Sequence, residues 1–342
     1  MRIAPPAVVP FVLAALAVAQ GNGGPRQRRD APPVELKNLS FREDKFHSDA
    51  VDRDVPYAIY LPKGYDDDAE AETKWPLVIW LHGMFEDHMR FHHRAGEAIL
   101  DEAIGNKALP PCVFVLAEGG RTSMYVDAGK GKDYQQLVEH DLLAHVEKTY
   151  RVSPDRRLRA LMGISMGGMA ALRIGFSKPE LFGIIAVHSS AVFPVDPKQL
   201  PPRMLQMASQ FGFDDVFGNP IDEKLWAKTN PLSLAADVDP KSLDGMRLYF
   251  DAGTEDRFQF HRGNTALHEL LEKRKIEHTW NLVEGGGHAW NSGFQDSNLR
   301  ASLKFVGDAF RAAAAGDKPA GKSGEADGKG GKAAPAPGDG KR

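Results

Sequence analysis

The sequence predicts an α/β fold with a doubly wound, mostly parallel sheet. Short runs of apolar residues without polar alternation recur along the chain, as expected of strands that are covered on both faces. Segments with a helical spacing of apolar residues separate several of these runs, and this alternation is typical of parallel strands joined by helices. Candidate catalytic residues follow the ends of several strands, which is the edge where such sheets bind ligands.

The apolar runs predict eight strands. In chain order they are Phe41–Phe46, Val55–Leu61, Pro76–Leu81, Cys112–Ala117, Arg157–Met162, Gly183–Val187, Arg247–Phe250 and Thr279–Val283. The first two are expected to pair antiparallel, because a short polar turn joins them. Helical patterns are clearest in four segments between or after the later strands. These are Tyr134–Tyr150, Met166–Phe176, Thr265–Lys273 and Ser297–Ala313.

One segment interrupts the alternation of strands and helices. The residues from Ala191 to Asp237 are rich in Pro, Phe and Met and follow the end of a predicted strand. We interpret this insertion as a cap over the edge of the sheet that carries the candidate catalytic residues, where it would line an acyl or aromatic pocket. The alternative is a packing excursion that only supports the side of the domain.

The composition is that of an ordinary globular protein and limits the kinds of partner. The 342 residues carry a net charge of −3, with 42% hydrophobic and 26% charged residues. Because there is no basic excess to follow a phosphate backbone, we expect no nucleic-acid partner. Cys112 is the only cysteine, so no internal disulfide can form, and its apolar surroundings in sequence predict a buried packing role.

The N-terminus has the features of a secretory signal peptide. Arg2 supplies a positive charge, Ala7–Ala19 is an apolar run too short to span a bilayer, and Ala17-Val18-Ala19 forms a cleavage site. We therefore expect a secreted or periplasmic protein without stable membrane insertion after cleavage; an uncleaved anchor is the alternative. The expected organisation is a signal peptide at 1–19, a disordered linker at 20–35, one domain at 36–312 and a low-complexity tail at 313–342.

The most informative motif is Gly163-Ile164-Ser165-Met166-Gly167, a G-x-S-x-G sequence between a predicted strand and a predicted helix. In this setting the serine occupies a strained turn that lifts its hydroxyl above the edge of the sheet. Gly163 and Gly167 leave room for the turn, and the helix N-terminus directs its positive dipole at the same space. The motif predicts that Ser165 is a nucleophile. The alternative is that the glycines only permit close packing of helix on strand.

A serine nucleophile needs a histidine base that an acid orients, and in this arrangement the chain order is serine, acid, histidine. His288 lies in a glycine-rich loop after the last predicted strand, which predicts that it is the base. Asp256 follows the preceding strand, beyond Gly253, and is the favoured acid. Asp251 closes that strand and is the alternative acid, although we expect it to brace its turn through backbone amides. Glu255 is the third candidate.

A tetrahedral intermediate needs two backbone donors, and the second should come from a loop after an earlier strand. The segment Trp80-Leu81-His82-Gly83-Met84 supplies such a loop. Gly83 permits the tight turn, so the Met84 amide can point at the same position as the Met166 amide. His82 is expected to brace this turn rather than to act as a base.

Together these residues resemble the secreted branch of the α/β-hydrolase superfamily that includes esterase D, feruloyl esterases, tributyrin esterase and the mycolyltransferase antigens. Six segments of the chain are similar to sequences of this family, and three of them contain the candidate triad residues. They are Val55–Tyr65, Trp75–Met84, Asp141–Val152, Gly163–Gly168, Gly253–Asp256 and Gly287–Trp290. Asp141 stands where the family usually has Glu. The likeness spans about Leu36–Ala312 and implies an α/β-hydrolase catalytic domain, but it does not fix the substrate.

The leading functional expectation is a secreted serine carboxylesterase that works through an acyl-enzyme on Ser165 and needs neither metal nor cofactor. The expected partner is a small-molecule or polysaccharide-linked ester, such as a feruloyl, acetyl or short-chain acyl ester. Two alternatives remain open. One is acyl transfer to a sugar or lipid alcohol by the same triad, and the other is a non-catalytic binding module.

Four other histidines are candidate metal ligands or candidate residues of the pocket. His88 and His92 are four residues apart and, with His93, could present ligands on one helical face, but no partner completes a metal set in the sequence. His188 ends a predicted strand near the candidate site and is expected to line the pocket without a catalytic role.

Overall fold

The computed structural model describes residues 35–129, 131–200, 209, 212–288 and 294–316. The predicted signal peptide, nearly all of the predicted linker and most of the predicted tail lie outside these ranges and stay predictions. The last helix ends at Ala314, two residues beyond the predicted end of the domain. No helix in the described part of the chain combines the length and the hydropathy that a membrane span requires.

An eight-stranded sheet forms the centre of the fold. Its strands are β1 Leu39–Ser48, β2 Arg53–Pro62, β3 Leu77–Leu81, β4 Val113–Ala117, β5 Arg159–Ile164, β6 Ile184–His188, β7 Arg247–Gly253 and β8 Thr279–Val283. They lie in the order β1-β2-β4-β3-β5-β6-β7-β8. β2 pairs antiparallel with β1 and with β4, and every other neighbouring pair is parallel. The predicted mostly parallel sheet is therefore confirmed, with all eight predicted strands in place.

Among the strands, the largest single difference between a predicted and an observed boundary is at the end of β7, predicted at Phe250 and observed at Gly253. β5 is the strand that is shifted as a whole by two residues. The apolar pattern predicts a strand over Arg157–Met162, whereas the strand runs from Arg159 to Ile164. The Asp155 carboxylate accepts the Arg157 amide at 2.9 Å and caps a single 3₁₀ turn over Arg156–Leu158, which delays the strand by two residues. As a consequence the strand continues to the residue before Ser165.

Helices cover both faces of the sheet. They are α1 Arg90–His93, α2 Gly96–Gly105, α3 Tyr134–Gln136, α4 Leu143–Thr149, α5 Met166–Ser177, α6 Phe213–Phe217, α7 Glu223–Thr229, α8 Pro231–Asp237, α9 Phe260–Arg274 and α10 Phe294–Ala314. A π-helical segment, Leu137–Leu142, joins α3 to α4, so the predicted helix over Tyr134–Tyr150 is present but irregular. Asp141 in this segment accepts the Ser48 hydroxyl and the Ala50 amide, which fixes it to the first hairpin.

Alternate residues of each strand enter two separate hydrophobic cores. In β3, Leu77, Ile79 and Leu81 belong to one core, and Val78 and Trp80 belong to the other. The first core contains residues of α4, α5, α9 and the insertion after β6, and the second contains residues of α2 and α10. This three-layer arrangement buries the strands on both faces, which explains why they are continuous apolar runs in the sequence.

The predicted cap insertion between Ala191 and Asp237 leaves the sheet after β6. Its described part is held by an aromatic cluster in which the Phe193 ring lies 5.6 Å from Phe213, 5.5 Å from Trp226 and 5.7 Å from Phe260. Trp226 is buried and donates its indole N–H to the Pro194 carbonyl at 3.0 Å. Phe260 begins α9 and its ring also contacts His288, so this cluster extends from the insertion to the loop of His288. The cap that lines an acyl or aromatic pocket stays a prediction. Residues 201–208, 210 and 211 lie outside the described ranges.

The register of the parallel strands brings their carboxyl ends to one edge. Leu81 of β3 pairs with Gly163 of β5, and Gly253 of β7 pairs with Val283 of β8. The loops that follow these strands therefore leave the same edge of the sheet, with β7 and β8 ending two or three residues beyond β3 and β5. The loops carry Met84, Ser165, Asp256 and His288, and Met166 begins the helix that follows Ser165.

Candidate active site

The backbone at Ser165 is strained. Its φ of 56° and ψ of −114° lie in a region that residues other than glycine rarely adopt. The Ser165 amide donates to the His188 carbonyl at 2.9 Å, and the Ser165 carbonyl accepts the Ala191 amide at 2.9 Å. These bonds to the end of β6 and the start of the insertion hold the turn in place, and α5 begins at the next residue.

The two flanking glycines are required by close backbone contacts. A Cβ atom at Gly163 would lie 2.7 Å from the Gly167 backbone, and one at Gly167 would lie 2.2 Å from the Leu81 carbonyl oxygen. Both distances are shorter than van der Waals contact. The structure thus gives a steric reason for each glycine, because an alanine at either position would force the neighbouring backbone to shift.

His288 and Asp256 form a buried pair. The His288 Nδ1–H donates to Asp256 Oδ2 at 2.9 Å, and Asp256 Oδ1 accepts the Phe258 amide at 2.8 Å. The Phe258 and Phe260 rings approach the imidazole at 4.9 and 5.7 Å, with their planes steeply inclined to it. The carboxylate and the two rings together fix the orientation of the imidazole, and the proton on Nδ1 leaves Nε2 able to accept a proton.

The loops after β7 and β8 are tied together. The Glu255 amide donates to the Gly286 carbonyl at 2.8 Å. A Cβ atom at Gly253 would lie only 2.0 Å from the same carbonyl oxygen, so the approach of the two loops requires glycine there. This contact explains why a glycine-rich sequence precedes His288 and how Asp256 comes within reach of it.

The alternative acid, Asp251, lies elsewhere. Its Oδ2 accepts His188 Nδ1–H at 2.8 Å and the Tyr249 hydroxyl at 3.0 Å, and His188 Nε2 lies 2.9 Å from the Ser302 hydroxyl on α10. The side chains of Asp251, His188 and Ser302 are buried. The expectation that Asp251 braces its turn through backbone amides is wrong, and so is the expectation that His188 lines the pocket. Glu255, the third candidate acid, is exposed.

His82 holds the loop after β3. The Gly119 amide donates to His82 Nε2 at 3.0 Å, so the ring proton must be on Nδ1, which lies 2.8 Å from the Gly83 carbonyl and donates to it. The ring is buried. His82 therefore connects the turn at Gly83 to the loop after β4, and both of its nitrogens are already engaged.

The predicted oxyanion donors flank Ser165. A Cβ atom at Gly83 would lie 3.6 Å from Ser165 Cβ, which puts the loop after β3 directly beside Ser165. Within the described ranges, the amides of Met84 and Met166 have no hydrogen-bond partner. Met166 is the first residue of α5, so its amide is among those that a helix leaves unsatisfied at its N-terminus. Both amides are therefore available as donors to a ligand.

Comparison with known families identifies the group to which this arrangement belongs. Residues 48–305 match the family described as "Putative esterase". The chain belongs to this esterase family. It is an ester-hydrolysing enzyme with an α/β-hydrolase fold, and the alternative of a non-catalytic binding module is not supported.

Three relatives illustrate the range of proteins to which this esterase is similar. An endo-1,4-beta-xylanase/feruloyl esterase from Xylanibacter ruminicola is 24% identical over 165 residues, which are 46% of this chain but only 23% of that protein. An acetyl esterase from Caldicellulosiruptor saccharolyticus is 22% identical over 266 residues, or 74% of this chain and 93% of the relative. A solved ferulic acid esterase superposes with a TM-score of 0.66 at 22% identity, covering 80% of this chain and 99% of that one, and this likeness shows the fold.

A carboxylate that the sequence did not suggest supports the loop after β3. Glu86 Oε2 accepts the Gly83 amide at 3.0 Å, and Glu86 Oε1 accepts Arg90 Nε–H at 2.7 Å. The turn is thus closed by a side chain three residues along the chain. An acidic residue at that spacing after a glycine is a signal that could have been read, because acidic side chains commonly accept nearby backbone amides.

A second missed residue ties the same loop to β4. Glu118 accepts the His88 amide at 3.3 Å and the Gly120 amide at 2.9 Å. Burial alone would raise the pKa of its carboxyl, but the hydrogen bond from the His88 ring, the nearby His82 and the backbone amides lower that pKa to about 2. His88 precedes α1, and His92 Nδ1 lies 3.0 Å from the Tyr60 hydroxyl instead. The shared helical face considered for these histidines therefore does not form.

Proposed function

We propose that the protein is a serine carboxylesterase that forms an acyl-enzyme on Ser165. The observation that carries this proposal is the buried 2.9 Å contact between His288 Nδ1 and Asp256 Oδ2, on loops at the edge of the sheet where the strained turn presents Ser165. A nucleophile, a base and an orienting acid on one sheet edge are the parts that acyl transfer through serine requires.

In the first step, Ser165 Oγ attacks the carbonyl carbon of the ester while His288 Nε2 accepts the hydroxyl proton. Asp256 keeps the other ring proton on Nδ1 and stabilises the imidazolium. The amides of Met84 and Met166 bind the oxyanion of the tetrahedral intermediate. His288 then gives its proton to the departing alcohol, and the acyl group stays on Ser165.

In the second step, water attacks the acyl-enzyme. His288 Nε2 accepts a proton from this water, and the tetrahedral intermediate forms again in the same pair of amides. Collapse of that intermediate releases the carboxylic acid and returns the proton to Ser165 Oγ. Each removed oxyanion donor would cost about 2.7–4 kcal/mol of transition-state stabilisation.

For the substrate, we propose esters of aromatic or short-chain acids that are attached to a polysaccharide. Phe258 and Phe260 present apolar rings beside His288, and Phe193 extends this aromatic side into the insertion. An aromatic surface formed by these rings suits an apolar or aromatic acyl group. The feruloyl esterase and acetyl esterase among the relatives agree with this class. Export to the periplasm or the medium, proposed from residues 1–19, would bring the enzyme to such polymers.

A fluorophosphonate probe and an ester panel test the mechanism together. We expect the wild type to be labelled on Ser165 and to hydrolyse at least one of p-nitrophenyl acetate, p-nitrophenyl butyrate, methyl ferulate and acetylated xylan. Ser165→Ala should lose both labelling and nearly all turnover while keeping the same circular dichroism spectrum. Labelling of Ser165→Ala at wild-type rate would refute the assignment. Product analysis with added alcohol shows whether the acyl group goes to water or to an acceptor.

A further inference from the structure

Two histidines and a glutamate meet at the end of α9, on the part of this helix that leads away from the catalytic site. His268 Nδ1 lies 2.8 Å from His278 Nε2, and His278 Nε2 lies 3.8 Å from Glu272 Oε1. One ligand atom from each of the three side chains falls within 4.8 Å of the other two. His268 is about 12 Å along the helix axis from Phe260, which contacts His288.

The local sequence explains why the three side chains converge. His268 and Glu272 are four residues apart, so they lie on one face of α9. The helix ends with Lys275 in the left-handed conformation, and the Ile276 amide donates back to the Leu271 carbonyl at 3.0 Å. This reversal, anchored by the buried Ile276, turns the chain so that His278 returns against the same helical face.

The His278 ring is already set to act as a ligand. Its Nδ1–H donates to the Ile276 carbonyl at 2.8 Å, so the lone pair is on Nε2 and points at His268 and Glu272. A backbone carbonyl that holds the far nitrogen of a histidine is the usual outer support of a metal ligand.

Aromatic rings fix both imidazole planes. The His278 ring stacks on Phe250 at 5.5 Å, and the His268 ring stacks on Trp280 at 6.1 Å. Only 1% of the His278 side chain is exposed, whereas 66% of the Glu272 side chain is exposed. The cluster is therefore rigid on its histidine side and open to solvent on its carboxylate side, which leaves a path by which an ion could enter.

We propose that His268, Glu272 and His278 form a binding site for one divalent transition-metal ion of the zinc type. Two imidazoles and one carboxylate suit Zn²⁺, with water completing a tetrahedral set. Zinc–nitrogen bonds of 2.0–2.1 Å place two tetrahedral ligands about 3.3 Å apart. Binding thus needs the two histidine nitrogens to separate by about 0.5 Å and Glu272 to approach by a similar amount. His268 must carry its proton on Nε2, a change of tautomer without net proton release.

The site would attach the end of α9 to the chain that enters β8. β8 is the edge strand of the sheet, and its next loop leads to His288. A bound ion would therefore stabilise the edge of the sheet beside the catalytic loop without contacting the reacting atoms. The proposal is independent of the proposed esterase mechanism, because binding and thermal stability can be measured without a substrate.

The test is calorimetric titration of untagged, chelator-treated protein with ZnCl₂, together with Co²⁺ absorption to report coordination geometry. We expect one Zn²⁺ per chain and a tetrahedral Co²⁺ spectrum that Zn²⁺ abolishes. At a Zn²⁺ concentration about 100 times Kd, the thermal midpoint should rise by roughly 3 °C or more. His268→Gln and Glu272→Gln should each weaken binding by about tenfold or more.

Matched controls separate this site from the other histidines of the chain. Glu269→Gln changes an exposed carboxylate on the same helix, and His140→Gln changes a histidine whose side chain is 59% exposed and lies outside the cluster. Both should bind Zn²⁺ like the wild type. Glu272 is exposed, so its variant tests the proposal even if His268→Gln folds poorly. Absence of binding up to millimolar Zn²⁺, or binding unchanged in Glu272→Gln and His268→Gln, would overturn the proposal.

Discussion

Replacing Asp256 by Asn should abolish most of the esterase activity by changing the tautomer of His288. In the wild type, Asp256 Oδ1 accepts the Phe258 amide at 2.8 Å and Oδ2 accepts His288 Nδ1–H at 2.9 Å. In the variant, the amide of Phe258 still needs an acceptor, so the single side-chain oxygen of Asn should take the Oδ1 position. The NH₂ group then faces His288.

A donor at that position reverses the proton arrangement of the ring. His288 Nδ1 becomes the acceptor, so the ring proton moves to Nε2, which can then no longer take the proton of Ser165. A change of this kind in other serine triads lowers kcat by about 10⁴-fold. That factor corresponds to about 5.4 kcal/mol of transition-state stabilisation. We expect KM to change little, because Asp256 is buried and acts through His288.

The assay is steady-state hydrolysis of a p-nitrophenyl ester, with urea denaturation to show that the variant is folded. Asp251→Asn is the matched control, since Asp251 also accepts a histidine Nδ1–H, but from His188. It should lower the free energy of unfolding and change kcat less than about tenfold. If Asp251→Asn lost 10⁴-fold and Asp256→Asn retained activity, our assignment of the acid would be refuted.

Two further predictions concern the support of the site. Gly167→Ala places a methyl group 2.2 Å from the Leu81 carbonyl oxygen. We therefore expect the free energy of unfolding, measured by urea denaturation, to fall by about 3 kcal/mol or more. An unchanged midpoint would contradict the steric argument. The folded-state pKa of Glu118, about 2, lies below its ordinary value of 4.5, so its contribution of about 3 kcal/mol is present above pH 4.5 and is lost as the pH falls towards 2. Glu118→Gln should therefore be less stable than the wild type at pH 6, and the difference should shrink at pH 3; a constant difference would show that ionisation is not the cause.

Much of the fold could be predicted from the sequence, because strands buried on both faces leave continuous apolar runs. The shift of β5 could not be predicted, because it depends on the hydrogen bond that the Asp155 carboxylate accepts from the Arg157 amide. A helical pattern also does not distinguish regular from π-helical turns, so the irregular segment Leu137–Leu142 was missed. In both cases local hydrogen bonds of the backbone, rather than hydrophobic periodicity, decide where the strand begins and which type of helix forms.

The sequence alone could not show which aspartate pairs with which histidine, because the chain forms two His–Asp pairs. His188 pairs with Asp251 and His288 pairs with Asp256. Asp251 lies within β7, and Asp256, five residues later, follows the end of this strand. Loop geometry decides which pair lies in the loops beyond the edge of the sheet. Asp251 is still within β7 and its side chain is buried with His188 and Ser302, whereas Asp256 lies beyond Gly253, where the chain approaches the loop of His288. Gly253 is thus the sequence feature that distinguishes the two acids. Asp251 precedes it and stays in the strand, whereas Asp256 follows it and lies in the loop.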